Sequence, residues 1–431
     1  MKNSIVRLRS RRAGVALVGG AVVLTAVPAA AFAFDDSGSS TPAHHVSSRD
    51  AAAAPGRGTV VSATRVAHMT GKQTGAYLKD NDDALASPRP RNGVDAYRVV
   101  YRTITPTGRP TTASGIVALP STAPRKALRA VSFAHGTLAN KKDAGGTAED
   151  GQGRVAAVYY AAAGYAGVAP DYLGLGLGPG PHPYMHSASE ASASLDMLRA
   201  ARTVAASHGV RFQPRVTVTG FSQGGVAAMA LGRELGRGAD PHLRLGPIAT
   251  ISGPFDLLRA QLPESLSPRS TLAPKASVFY LAYITTAWKH GFGLYRSPSE
   301  VFNAPYASIV EGLFDGSKNE VTEILPKLPD TPEQLLTPAY RKRLAHPSGT
   351  LLKAIRSSDG TCDWRPDVPV RLFAGSGDEQ VAYANTLSCA RALRAHGARP
   401  QVVDYGPKSQ HMGSLKRGLP DILRWLGRSG R

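Results

Sequence analysis

The chain has 431 residues, with 51 Lys and Arg against 31 Asp and Glu, a formal charge of +20 at pH 7. That balance favours loose contact with acidic surfaces such as cell-wall polymers or anionic lipid. It carries no zinc-finger spacing, RNP-type run or heptad repeat, so nucleic acid is excluded as a partner.

The first residues, MKNSIVRLRSRRAGVALVGGAVVLTAVPAAAFAFDD, pass from a basic start through an apolar middle to the small residues Ala31-Phe32-Ala33. This is the order of a secretory signal, residues 1–33, with cleavage expected after Ala33 and secretion of the rest. Gly19, Gly20 and Pro28 interrupt the roughly 20 apolar residues that a membrane span needs. Arg11-Arg12 after Ser10 suggests the twin-arginine route, whereas Gly14 stands where a bulky apolar residue is expected, so the export route stays open. The segment has no cysteine, which excludes a lipid anchor at the cleavage site. Its removal takes five positive charges and no negative one, leaving +15. Residues 34–58, rich in Ser, Ala, Gly and Pro, read as a disordered spacer.

VDAYRVVYRT (94–103) alternates apolar and polar residues and is separated by TGRP from TASGIVALP (112–120), the pattern of a β-hairpin. Apolar strands and Ala-rich helices then take turns. Strands are expected at 128–134, 164–170, 215–219, 246–252, 368–374 and 400–405, and helices at 149–163, 188–209, 223–236 and 381–397. Antiparallel strands followed by repeated β-α units predict an α/β fold with a mostly parallel, doubly wound sheet. The alternation breaks between Pro254 and Val368. The expected organisation is therefore a core from 59–253 and 368–431, with a helical cap inserted at 254–367 over the carboxyl ends of the strands, where ligands bind in such sheets. The apolar run ASVFYLAYITTAW (276–288) reads equally well as a substrate-facing lid or as the cap's own core.

GFSQGG (220–225) falls between a strand and a helix. Composition alone produces about 0.4 G-x-S-x-G matches in such a chain, so the motif is weak without its context. A serine on that turn is lifted out of the sheet, but its hydroxyl is a poor nucleophile unless a base takes its proton. Asp378, in GSGDEQV after one strand, and His411, in YGPKSQHMGS after the last, stand at the same edge as Ser222. Their chain order, Ser then Asp then His, is that of a triad on an α/β-hydrolase sheet. Glu379 is a neighbouring rival to Asp378. Asp171 and His135 precede the serine, and His135 is expected to help build the loop after strand 128–134. The oxyanion donors expected are the amides of Gln223 and Thr137, with Gly136 as second choice for the latter.

Cys362 and Cys389, the only cysteines, are expected to pair in an exported protein. His182 and His186 have i, i+4 spacing, but Pro183 and the lack of a third ligand favour local structure over a metal site. Neither a metal nor an organic cofactor is implied.

At this point the chain resembles the secretory lipases, bacterial relatives of the fungal lipase A type within the α/β-hydrolases. The resemblance is carried by FAHGT (133–137), PDYLGLG (170–176), HPY (182–184), GFSQGG (220–225) and the late Asp378 and His411, and covers roughly residues 60–428. It implies hydrolysis of carboxylic esters, acylglycerols included. Two rivals come from other classes. A peptidase on the same fold needs an acidic anchor for a substrate amine, and none is identified. A silent cell-wall-binding protein has no use for the triad.

Overall fold

The computed structural model describes residues 56–88, 92–122 and 127–428. The signal segment and the spacer up to residue 55 lie outside these residues. Gly56 to Gly58, the end of the stretch read as spacer, belong to the fold instead: the Gly58 amide donates to the Arg102 carbonyl (2.8 Å), and Arg57 pairs with buried Asp196 at 3.0 Å.

Two elements precede the expected hairpin, strand β1 (Val60–Met69) and helix α1 (Gly71–Asn81). The α1 start is fixed by a capping box, Thr70 with Gln73. The hairpin is β2 (Val94–Ile104) with β3 (Pro110–Pro120), in unbroken antiparallel register. The alternating units follow: β4 (Leu128–Ala134), α2 (Gln152–Ala162), β5 (Ala166–Pro170), α3 (Ser187–Ser207), β6 (Phe212–Phe221), α4 (Gln223–Gly236) and β7 (Arg244–Ile251). An inserted region supplies α5 (Leu262–Leu266), α6 (Pro274–Phe292), α7 (Val310–Leu313), α8 (Pro332–Leu335), α9 (Pro338–Ala345) and α10 (Gly349–Arg356). β8 (Val370–Ala374), α11 (Ala384–Ala395), β9 (Gln401–Asp404) and α12 (His411–Arg428) complete the chain.

The nine strands form one sheet in the order β1-β2-β3-β5-β4-β6-β7-β8-β9. The pairs from β1 to β5 are antiparallel and the remainder parallel. Alternation along each strand divides the apolar side chains between two faces. Ala130, Val216, Val218 and Ile248 pack under α3 and α4, while Val131, Phe133, Ala249 and Ile251 pack under α2 and α12. This α/β architecture brings the loops after β4, β6, β8 and β9 to one edge.

α12 was not anticipated from the sequence. Its apolar residues Leu415, Leu419, Ile422, Leu423 and Leu426 recur at helical spacing and are buried against β7 and β8. His411 is therefore the first residue of a helix, not a member of a free loop.

Candidate active site

Ser222 follows β6 directly and stands at the N-cap position of α4 with φ 55° and ψ −124°, a left-handed backbone that non-glycine residues rarely adopt. Strand and helix can meet so sharply because Gly220 has no side chain: a Cβ there would lie 1.9 Å from the Gly224 carbonyl oxygen, and one on Gly224 would lie 2.0 Å from the Ala134 carbonyl oxygen at the end of β4. The same approach brings the start of α4 against the loop after β4.

Two adjacent carboxylates follow β8 and do different work. Asp378 Oδ2 receives the His411 Nδ1 proton across 2.8 Å, and its Oδ1 accepts from the Gln380 and Val381 amides at 3.0 and 2.9 Å. Those three bonds fix the carboxylate and select the tautomer with the proton on Nδ1. Glu379 Oε2 instead accepts from the His411 backbone amide (2.9 Å), capping α12 at the residue whose ring Asp378 holds. The loops after β8 and β9 approach closely because Gly377 lacks a Cβ, which would otherwise sit 2.0 Å from the Pro407 oxygen. The His411 ring lies over Phe221, the residue before Ser222, with centroids 4.6 Å apart. Its Nε2 is buried and has no hydrogen-bond partner among the described residues. Ser222, Asp378 and His411 are all buried.

The loop after β4 is braced from several sides. The Gly136 amide donates to Gln152 Oε1 (2.6 Å), so that amide is already engaged, whereas the Thr137 amide meets no acceptor among the described residues. Thr137 Oγ1 shares a hydrogen bond with the Tyr184 hydroxyl (2.9 Å). The Tyr172 hydroxyl donates to the His135 carbonyl (3.0 Å), and the two rings lie 4.4 Å apart. His135 is fully buried, and burial lowers its pKa. Asp171 accepts from Ser114 Oγ (2.6 Å) and the Gly146 amide (2.9 Å), tying the PDYLGLG stretch to β3 and to the chain before α2. Both are thus supports of the loop.

A lock under the elbow was not foreseen from the sequence. Gln223 Nε2 donates to Glu190 Oε1 at 2.7 Å and to His182 Nε2 at 2.8 Å. His182 Nδ1 donates to the Leu173 carbonyl (2.8 Å), so the ring is neutral with both nitrogens occupied; burial pushes its pKa down to about 4. Burial pushes Glu190 up to about 8 despite the donated bond from Gln223. The Gln223 side chain is thereby turned into the layer between α3 and α4, leaving its backbone amide at the helix start. His186 caps α3, accepting from the Ser189 amide. The HPYMH spacing therefore serves structure.

Helix α6 closes the site from the other side. Tyr280, Leu281 and Ile284 line a narrow apolar cleft of about 40 Å³ that includes Ser222, Met185, Leu257 and Leu262. Val278, Phe279 and Trp288 of the same helix are buried in the core. The run 276–288 thus packs in the core and also lines the cleft beside Ser222. Tyr283 stacks on Tyr184 (4.3 Å, 3° between planes) and donates to the Leu138 carbonyl, while the Tyr280 hydroxyl donates to Gln380 Oε1. One helix thus touches both the loop after β4 and the Asp378 loop.

The Cys362–Cys389 disulfide is formed. It ties the chain before β8 to α11, on either side of the Asp378 loop.

A buried imidazole with one bare nitrogen, oriented by a fixed carboxylate and packed on the residue before a serine at a strand-to-helix turn, has residue types suited to acyl transfer. The secretory lipase family pattern matches residues 154–245, from α2 to the start of β7 and including Ser222. The rice cell wall degrading esterase LipA from Xanthomonas oryzae, in a ligand-bound form, is 27% identical with a TM-score of 0.76, over 88% of this chain and 100% of that one. A putative hydrolase from Legionella pneumophila shares the fold at TM-score 0.78 and 24% identity, over 86% of this chain and 98% of that one. Candida antarctica lipase A in its closed state shares it at TM-score 0.59 and 14% identity, over 83% and 79%. No curated protein matches the chain.

Proposed function

We propose that the chain is an exported serine carboxylesterase of the secretory lipase kind, using Ser222, His411 and Asp378. The carrying observation is the 2.8 Å bond from His411 Nδ1 to Asp378, which leaves Nε2 bare and facing no other partner. Ser222 Oγ attacks the acyl carbon and its proton passes to His411 Nε2. The imidazolium so formed is held by Asp378. The tetrahedral oxyanion is received by the amides of Gln223 and Thr137, the free donors on either side of the elbow. Collapse breaks the bond to the alcohol oxygen, and His411 returns the proton to that leaving group. Water, deprotonated by His411, then attacks the acyl-Ser222 carbonyl and releases the acid.

The apolar lining of the cleft suits a hydrocarbon acyl group and offers no acidic anchor for a substrate amine, which favours esters over peptides. We assign residues 254–367 as the cap and α6 as its substrate-facing wall. The signal-like amino terminus and the disulfide support export from the cell.

The test is to treat the purified protein with a fluorophosphonate and map the modified peptide, alongside hydrolysis of p-nitrophenyl esters from C2 to C16 and of the matching anilides. The expected result is a label on Ser222 and ester turnover far above anilide turnover. A label on another serine, with esters still cleaved, overturns the triad while leaving the ester hydrolase.

A further inference from the structure

The sheet edge opposite Ser222 is built differently. The starts of β6 and β7, the end of α4 and the chain entering β8 surround a crevice of about 950 Å³. Arg215, Arg233, Arg237, Arg244 and Arg365 line it, against the single carboxylate of Asp367. Among the described residues only Arg237 has a carboxylate within 4.0 Å, Glu234 at 3.6 Å. Arg215 and Arg244 spend one nitrogen each on backbone carbonyls, and Arg233 Nε is buried with no partner there. A concave surface of one sign focuses its field and gathers counter-ions.

The wall is held in place. Trp364 packs on the α4 glycines, where a Cβ on Gly236 would stand 3.1 Å from its ring, and its Nε1 donates to the Thr361 carbonyl. The Cys362–Cys389 bridge fixes this turn to α11. Guanidinium forks match phosphate oxygens two at a time, so several of them around one crevice select repeated phosphates. A lipid bilayer is a poorer match. The surface is concave, and none of the exposed large hydrophobic side chains (Val61, Leu177, Ile309, Val321, Leu387, Met412) lines it to enter an acyl layer.

We propose that this crevice binds a linear polymer of phosphate groups, holding the protein by the edge that faces away from its catalytic cleft. Arg215 and Ser222 lie seven residues apart along β6, roughly 23 Å at strand rise, so an occupied crevice leaves the cleft open.

Dye-labelled polyphosphate titrated with the purified protein tests this by fluorescence anisotropy, with inorganic monophosphate and vesicles of phosphatidylglycerol or phosphatidylcholine as separate arms. Polyphosphate is expected to bind, more weakly as NaCl rises, with monophosphate a far poorer ligand. The triple variant Arg215→Ala, Arg237→Ala, Arg365→Ala should lose at least tenfold in affinity and keep its ester turnover and circular dichroism. The control triple Arg65→Ala, Arg109→Ala, Arg269→Ala removes the same charge from exposed positions elsewhere and should change affinity less than threefold. Equal losses in the two triples overturn the site, since net charge then explains the binding. Binding to phosphatidylglycerol without polyphosphate, monophosphate binding as tightly as the polymer, or no binding in any arm overturns the proposal as well.

Discussion

The two edges of the sheet spend their polar groups in opposite ways. At the carboxyl edge many are committed to one another. Asp378 accepts three donors, Glu379 caps the helix that begins with His411, Gln152 takes the Gly136 amide, and Glu190 with His182 takes the Gln223 side chain. Among the described residues, His411 Nε2 and the Thr137 and Gln223 amides stay bare there, and Gln223 Oε1 and Glu190 Oε2 are buried without partners. At the amino edge five guanidiniums gather around one carboxylate, and most have no anionic partner. A site that performs chemistry holds its groups still before the substrate comes, whereas a site that captures a polyanion leaves its charges unspent.

That contrast can be broken most directly with Ser222→Ala. Ester turnover should fall by something on the order of 10⁴ to 10⁶, while polyphosphate affinity stays unchanged. If the anion affinity falls too, the edges are coupled and the contrast is wrong. The next effect separates two neighbours on the carboxyl edge. Asp378→Asn should lower kcat about 10⁴-fold by spoiling the His411 tautomer. Glu379→Ala should cost about 1 kcal/mol of stability through the lost cap, with kcat changed less than tenfold. Comparable kcat losses for the two would mean that either carboxylate can orient the ring.

Removing the disulfide as Cys362→Ser with Cys389→Ser touches both edges. In the chain-entropy model a crosslink over 27 residues contributes roughly 3.5 kcal/mol, so the urea midpoint should drop accordingly. A midpoint that does not move would show that packing alone holds the Trp364 turn. The last effect is a slope. The Glu190 pKa is raised to about 8 in the fold from 4.5, so its contribution is fully present below pH 4.5 and is lost as pH rises through about 8. Stability should therefore fall as pH rises between those limits. Glu190→Gln keeps an acceptor for Gln223 and should flatten that slope. Parallel pH profiles for the two proteins would assign the titration to another group.

Much of this was legible in the sequence because it is local. The strand before Ser222 and the helix after it follow from periodicity, α4 begins and ends where the pattern places it, and two cysteines allow only one pairing. The order Ser, Asp, His at successive strand ends is legible too, and the structure brings Asp378 and His411 into contact. What could not be read is non-local. Glu190 and Gln223 are 33 residues apart, and nothing in ASEASASLDM marks a glutamate that the fold will bury. The choice between Asp378 and Glu379 turns on loop geometry that Gly377 and Pro407 create together. α6 was ambiguous because both of its faces are apolar, and the fold uses one for the cleft and the other for the core. α12 has the clear period of an amphipathic helix, and its apolar positions are legible in the sequence from Leu415 onward.

Ser222 occupies a backbone conformation that glycine would adopt freely and that costs a serine on the order of 1 kcal/mol or more. Heat therefore selects against the serine proposed as the nucleophile. In a laboratory lineage screened only for thermal endurance, the exchange of Ser222 for glycine would be among the changes favoured, and the survivors would be sturdier and inert. Retention of this serine depends on a selection that scores turnover, and any engineering of the scaffold has to keep that assay beside the thermal one.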